Sequence, residues 1–293
     1  MIFCLISFSL INFSYIYIWR KFLEKVPTGV GVLLIVPCYF FYFEQQLHLF
    51  SISLIFIFSL IYFFDDLRGI HFLLRIFLQI LSSLIIFFSI PFEGNQIFLI
   101  FNLFFIIILV NVLNFQDGED LNISTLLIMI FSVFYFYSEL ELIKKTSLVI
   151  LLFLISFSFF NFKQNSLYFG DSGCYFISII IALFAYNEIE NTTLLKFLFS
   201  VIIFPLIDVF YVIVYRIMNN ENLLTRNYLH TYQIIAQKIN SKFYLLPNLI
   251  FSLLNILISF YIPLGANLII LLFFVNFTLL IFMRLVIKKV WFT

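Results

Sequence analysis

Charged residues are scarce in this 293-residue sequence, at 11%, while hydrophobic residues make up 64%. So little charge excludes an ordinary soluble domain, in which about a quarter of the residues are charged. The net charge is +1 and no basic tract is present, so the sequence gives no sign of a nucleic-acid partner. The three cysteines lie apart in apolar runs without a Cys-x-x-Cys spacing, which argues against a disulfide framework or a cysteine metal site.

Apolar runs long enough to cross a lipid bilayer recur along the whole chain. A hydrocarbon core of about 30 Å needs about 20 apolar helical residues, and backbone in lipid must satisfy its own hydrogen bonds, which favours helices. We therefore predict an all-α, polytopic membrane helix bundle that forms a single integral-membrane domain over residues 1–293. The eleven predicted spans cover residues 1–18, 32–47, 49–64, 72–90, 97–113, 121–137, 147–160, 174–186, 194–215, 245–261 and 266–283.

Basic residues predict the orientation of these spans. With the N-terminus outside, the inner segments carry thirteen Lys and Arg and the outer connections carry three, Lys144, Lys145 and Lys196. Because cytoplasmic loops carry an excess of Lys and Arg, we predict that the N-terminus is outside and the C-terminus cytoplasmic. The first run lacks preceding positive residues and a small-residue cleavage site, so we interpret it as a retained helix.

Aspartates gather on the predicted cytoplasmic side. Five of the six lie there, in the short sequences DDLRG, DGED and GDSG, whereas the glutamates show no such bias. Carboxylates beside tight glycine turns make compact sites for Mg²⁺, which takes oxygen ligands and usually binds one or two carboxylates together with substrate phosphates. One such cluster alone would be explained as a solvated loop, but three on one face favour a metal and phosphate site.

These motifs resemble those of the polyprenyl-phosphate N-acetylhexosamine-1-phosphate transferases, in the same order and at similar intervals. The family includes the enzyme that loads phospho-MurNAc-pentapeptide onto its lipid carrier and the enzymes that start O-antigen. The resemblance covers nearly the whole chain. Its motifs are VPTGVG (26–31), FFDDLRGI (63–70), NVLNFQDGED (111–120), YFGDSG (168–173), PLID (205–208) and HTYQ (230–233).

The resemblance implies a membrane enzyme that depends on Mg²⁺, with Mn²⁺ as a substitute. Such an enzyme transfers an N-acetylaminosugar-1-phosphate from a UDP-sugar to undecaprenyl phosphate and releases UMP. It implies a bacterial inner membrane, with the active site on the cytoplasmic face, and it allows a homodimer. The paired acids Asp65 and Asp66 match residues near the lipid phosphate. Asp65 as a general base and Asp65 as a group that positions this phosphate both fit.

The remaining site residues are also implied by the resemblance. Asp171 matches the acid that holds Mg²⁺. The nucleotide and metal side of the cleft matches Asn114, Asp117 and Asp120. Tyr168 matches an aromatic residue that stacks on uracil, and His230 matches a catalytic histidine of the last large cytoplasmic loop.

The sequence departs from the family at two places. The second glycine after the family's aspartate pair is Leu121 here, and the last loop carries one histidine where several are usual. The HTYQ ending is similar to the branch that starts O-antigen with N-acetylfucosamine- or N-acetylquinovosamine-type sugars. The donor sugar therefore stays open.

Two other functions compete with this interpretation. A cation-coupled transporter would use Asp65, Asp66 and the intramembrane Asp208 as ion-pathway acids, but such acids lie near mid-membrane at broken helices. A CDP-alcohol phosphotransferase expects Asp-x-x-Asp-Gly-x-x-Ala-Arg, and DGED is instead followed by Leu121 and Asn122. Asp208 itself, three residues after Pro205, fits either a functional acid or a structural hydrogen-bonding group.

Overall fold

The predicted all-α class is confirmed by the computed structural model, which describes residues 2–23, 26–35, 38, 49–89, 96–162, 167–223, 225, 227–239 and 242–291. Regular structure in these ranges consists of helices. The α-helices are α1 Ile2–Leu23, α2 Leu49–Arg68, α3 Phe72–Ser89, α4 Gln96–Gln116, α5 Asn122–Tyr137, α6 Glu141–Asn161, α7 Gly170–Asn187, α8 Thr192–Met218, α9 Thr231–Ile239, α10 Leu246–Tyr261 and α11 Ala266–Trp291.

Ten of the predicted spans coincide with helices of this bundle. Within the described ranges, five helical stretches are long and apolar enough to cross a membrane by themselves, and there are shorter apolar helices as well. The short predicted spans 147–160 and 174–186 extend into their flanks as α6 and α7. The predicted span 32–47 lies largely outside the described residues.

Helix α7 forms the centre of the bundle, and most of its residues are buried. It packs against α2, α4 and a short 3-10 helix at Val30–Leu34, while α8 packs against α5, α10 and α11. Since lipid is as apolar as a leucine side chain, helices in a membrane associate through close packing and interhelical hydrogen bonds. One such pair joins α10 to α11, where the buried side chains of Asn255 and Asn276 exchange hydrogen bonds of 3.1 and 2.9 Å.

The polar connection 216–243 folds back over one end of the bundle. It contains α9, and a second 3-10 helix, Lys242–Leu245, follows it. Helix α9 contacts this 3-10 helix and α11. The connection therefore brings its only histidine, His230, next to the helix ends that carry the aspartate motifs.

Candidate active site

Glycines bring the first motif against the start of α7. The amide of Gly31 donates to the carbonyl of Phe169 over 3.1 Å. Gly170 has a φ of +85°, and a Cβ at this position would collide with the backbone of Gly29. Because only glycine combines this φ with so close a backbone contact at no steric cost, VPTGVG and YFGDSG form one packed unit.

Asp66 caps the N-terminus of α7. Its Oδ1 accepts from the amide of Asp171 over 2.8 Å, and its Oδ2 accepts from the amide and the hydroxyl of Ser172 over 3.1 and 2.6 Å. A carboxylate at a helix N-terminus is stabilised by the helix dipole and by these unsatisfied amides. Both Asp66 oxygens thus hold α7 in place, and the predicted catalytic role of Asp66 stays a prediction.

Asp117 binds the same helix end from the other side. Its Oδ2 accepts from the amide of Gly170 over 2.7 Å. Burial raises the pKa of Asp117 to about 8, and the carboxylates of Asp171 and Asp66 add to the increase. A buried carboxylate among other carboxylates favours an added positive charge, either a proton or a metal ion.

Arg75 of α3 bridges two more acids of the cluster. Its Nη2 donates to Oδ1 of Asp65 over 2.8 Å, and its Nη1 lies 3.3 Å from Oδ2 of Asp171. The Nε of Arg75 approaches Oδ2 of Asp65 to 2.6 Å as an ion pair, although the two atoms are not aligned as a hydrogen bond. The amide of Ile70 also donates to Asp65, over 2.7 Å.

Asn114 joins the cluster through Asp171. The side chain of Asn114 lies near the Asp171 carboxylate and stabilises its negative charge, and Asp65 also lies near Asp171. The neighbouring Asn111 points elsewhere, because its amide donates to the carbonyl of Ile107 over 2.7 Å. Asp65, Asp66, Asp117 and Asp171 therefore converge with Asn114 at one end of the bundle.

Asp120 lies on another side of the DGED turn. The hydroxyl of Tyr244 donates to its carbonyl oxygen over 2.7 Å. Burial raises the pKa of the Asp120 carboxyl, and the positive charge of Lys242 opposes the increase. The predicted place of Asp120 on the nucleotide side of the cleft stays a prediction, and the contacts of the described residues tie it to the 3-10 helix after α9.

Tyr168 also lies near the 3-10 helix at Lys242–Leu245. Its amide donates to the carbonyl of Pro27 over 2.8 Å. Its half-buried side chain lies near enough to Tyr244 to interact with it electrostatically. This places Tyr168 between the GDSG turn and the 3-10 helix at Lys242–Leu245, and its role in stacking on uracil stays a prediction.

His230 is held by an intramembrane acid. Its Nδ1 lies 3.1 Å from Oδ2 of Asp208, and its Nε2 is buried without a hydrogen-bond partner among the described residues. The imidazole packs against the ring of Phe115, with 5.1 Å between the two ring centroids. The adjacent Tyr232 donates a hydrogen bond to the carbonyl of Phe115, and a Cβ at Gly118 would collide with the Tyr232 hydroxyl. HTYQ is therefore packed directly against DGED.

Three residues that support the site were not predicted from the sequence. Arg75 counted only as one more positive residue, yet it is the sole charge in α3, ten residues after Asp65. Asn161 accepts from the amide of Leu121 and donates to the carbonyl of Leu167 over 2.6 Å, which joins the DGED and YFGD loops. Asn248 donates to the buried Gln116 over 2.9 Å. Only Arg75 carried a usable signal, because a lone charge in an apolar helix calls for a partner.

Leu121, at the position of the family's second glycine, adopts a left-handed backbone with φ 64° and ψ −12°. This conformation costs a non-glycine residue about 1–2 kcal/mol. We expect Leu121→Gly to be more stable than Leu121→Ala by about 1 kcal/mol, because both lose the side chain and only glycine relieves the strain. Thermal unfolding of the purified variants should show apparent Tm values roughly 2–4 °C apart.

Leu140 provides the matched control for this comparison. It precedes α6 as Leu121 precedes α5, but its φ is −85°. There alanine should be the more stable replacement, since glycine only adds freedom to the unfolded chain. The same order at both positions would show that backbone strain at Leu121 does not affect stability.

The oxygen-rich cluster fits a hard divalent cation. Carboxylates and an amide are the ligand types that Mg²⁺ prefers, and one or two carboxylates suffice when phosphates complete the shell. The residues available to hold the ion are Asp171 and Asp117, since both oxygens of Asp66 already accept hydrogen bonds from α7. In the part of the chain that the structure describes, no three His, Cys, Asp or Glu side chains are arranged to enclose a metal on their own.

Comparison with known proteins gives one family. The model of glycosyl transferase family 4 matches residues 48–188. This range includes all four converging aspartates and Arg75, whereas Asp208 and His230 lie beyond it. No curated protein and no solved structure matches the chain.

Proposed function

Because the chain belongs to glycosyl transferase family 4, whose members transfer a sugar-1-phosphate to a polyprenyl phosphate, we propose that it acts on a UDP-N-acetylaminosugar and undecaprenyl phosphate and releases UMP. The observation that carries the proposal is the convergence of Asp65, Asp66, Asp117 and Asp171 with Arg75 at one end of the bundle. We also propose that residues 1–293 form one integral-membrane transferase domain.

Charge neutralisation is the main requirement of this reaction, because two anionic phosphates must meet. Phosphoryl transfer depends largely on positioning and on electrostatic stabilisation. Family members are Mg²⁺-dependent in general, and the bound ion supplies charge that draws the phosphates together. In this chain Asp171 and Asp117 would hold the ion, with Asn114 orienting Asp171.

Asp65 is better suited to position groups than to remove a proton. Its Oδ1 accepts from both Ile70 and Arg75, and its Oδ2 is paired with Arg75. A phosphomonoester has a second pKa near 6, so the lipid phosphate is mostly dianionic at neutral pH and needs no strong base. We propose that Asp65 fixes Arg75, whose guanidinium then faces the phosphates.

The transporter alternative is weakened by where the acids lie. Asp65 and Asp66 are in the last turn of α2, Asp171 is in the first turn of α7, and Asp117 follows the end of α4. Transporter sites lie instead at broken helices near the membrane midplane. Of the acids in that hypothesis, Asp208 alone lies well inside a span, and it is paired with Arg284 over 3.0 Å.

The deciding experiment is a transfer assay. Membranes containing the chain are supplied with undecaprenyl phosphate and, one at a time, radiolabelled UDP-N-acetylaminosugars, including N-acetylfucosamine- and N-acetylquinovosamine-type donors. We expect a lipid-linked sugar phosphate and an equal amount of UMP with one donor, which would identify the first step of a cell-envelope glycan such as O-antigen. Membranes lacking the chain are the control. No lipid-linked product with any donor would contradict the proposal.

We predict that the site faces the cytoplasm of a bacterial inner membrane, because the basic residues divide thirteen to three. Single-cysteine variants are made after replacing Cys4, Cys38 and Cys174. An impermeant thiol reagent should label Lys145→Cys in intact cells, after the outer membrane is permeabilised, and Arg68→Cys only after lysis. Both side chains are exposed. Labelling of Arg68→Cys from outside would reverse the orientation.

A further inference from the structure

The Asp208 carboxylate lies where three separate segments meet. It belongs to α8 and contacts His230 before α9, Thr231 at the start of α9, and Arg284 of α11. Its side chain is 3% exposed and that of His230 is 2% exposed. A carboxylate this deeply buried requires partners for its charge, and it has them.

The geometry determines which imidazole nitrogen remains for another group. Nδ1 of His230 lies 3.1 Å from Oδ2 of Asp208, so Nδ1–H donates to the carboxylate. A histidine whose Nδ1–H is bound in this way has a fixed ring orientation and a fixed tautomer. Nε2 is then the free nitrogen. It is buried without a partner among the described residues, which is unfavourable unless a bound molecule supplies one.

Arg284 holds the Asp208 carboxylate in place beside His230. Its Nη2 lies 3.0 Å from Oδ1 of Asp208 and donates over 2.9 Å to the carbonyl of Leu229, the residue before His230. Its guanidinium also lies over the ring of Tyr211, 4.2 Å from the centroid. The Arg284 charge offsets that of Asp208, so the unit places the imidazole without leaving an unpaired negative charge beside incoming phosphates.

We propose that Asp208 is a positioning residue for sugar-1-phosphate transfer, which orients His230 so that Nε2 faces the phosphates or the sugar of the bound donor. The inference rests on the proposed function. Helix α9, which begins beside His230, packs through Tyr232 against the turn that carries Asp117. Asp208 thereby connects the interior of α8 to the nucleotide side of the site.

A double-mutant cycle tests the role. Asp208→Asn removes the charge that fixes the imidazole, and we expect kcat to fall about 10–100-fold with the KM for the UDP-sugar nearly unchanged. In a His230→Ala background the same change should have almost no further effect, since residues that act as one unit are not additive. An equal loss in both backgrounds would overturn the proposal, because a structural acid would act independently of His230.

Two further variants separate positioning from folding. Thr231→Val removes one hydrogen bond to Asp208 and keeps the imidazole pair, so it should retain most of kcat. If Asp208→Asn fails to fold, Asp208→Glu keeps the charge but is one methylene longer. It should therefore lower kcat at least about 10-fold by displacing the ring. Full kcat in folded Asp208→Glu would overturn the proposal.

The results also distinguish this inference from the proposed function. Wild-type membranes that form no lipid-linked product would contradict the function itself. An active wild type in which His230→Ala keeps its full rate would leave the function standing and refute the positioning role. An impaired His230→Ala variant together with an Asp208→Asn variant as active as the wild type would also refute the positioning role and leave the function standing.

Discussion

Asp171→Asn is expected to lower sugar-1-phosphate transfer roughly 10²–10³-fold, the size of effect seen when a group that stabilises transition-state charge is removed. The amide keeps the shape of the side chain but loses the negative charge that a divalent cation requires. Asp171 also lies at the centre of the cluster, because it pairs with Arg75 and lies near Asn114 and Asp65. The measurement is the rate of lipid-linked product formation by purified protein.

A metal titration makes the result specific to the ion. Wild-type activity should disappear after chelation and return with Mg²⁺, whereas Asp171→Asn should not recover at any Mg²⁺ concentration that restores the wild type. Glu119→Gln removes a charge from the same DGED turn and should keep activity within about twofold. An unchanged apparent Tm would show that the bundle is intact. Near-wild-type turnover of Asp171→Asn would mean that GDSG only starts α7.

The helices could be predicted because each must satisfy one physical requirement. About 20 apolar residues in succession have few alternatives to a spanning helix, and α5, α8 and α10 follow their predicted spans closely. Helices α6 and α7 run longer than the apolar runs, since Glu141 and Asp171 lie in their first turns. A prediction from hydropathy ends a span at the first charged residue. The helix itself can continue through that residue where it has left the hydrocarbon core.

The assembly of the site could be predicted only in part. Short motifs identified the four converging aspartates, but spacing along the chain does not show which way a side chain points. Asp117 and Asp120 are three residues apart in a turn, and one meets α7 while the other meets Tyr244 and Lys242. The partner of Asp208 was hidden for a related reason, because His230 is 22 residues away along the chain.

Arg75→Gln is the second variant for which we expect a large loss. The guanidinium contacts Asp65 through two nitrogens and Asp171 through the third, and so connects the acid proposed to lie near the lipid phosphate to the acid proposed to hold the metal. Its loss would leave two neighbouring carboxylates without their shared positive charge and the incoming phosphates without a cation. We expect kcat to fall about 10²-fold or more.

The fork shape of arginine predicts an intermediate result for Arg75→Lys. Lysine keeps the charge as a single ammonium group, but it cannot contact Asp65 through two nitrogens and reach Asp171 with the third. We therefore expect activity between those of Arg75→Gln and the wild type, with a higher KM for undecaprenyl phosphate if the guanidinium faces the lipid phosphate.

Arg68 is the matched control, because it ends α2 seven residues before Arg75 and its side chain is exposed. Arg68→Gln should stay within about twofold of the wild type. If Arg68→Gln and Arg75→Gln lost activity equally, the general positive charge of this face would explain the effect, and the bridge from Asp65 to Asp171 would have no special part in transfer. If Arg75→Lys matched the wild type in both kcat and KM, the charge alone would suffice and the two-nitrogen contact with Asp65 would be dispensable.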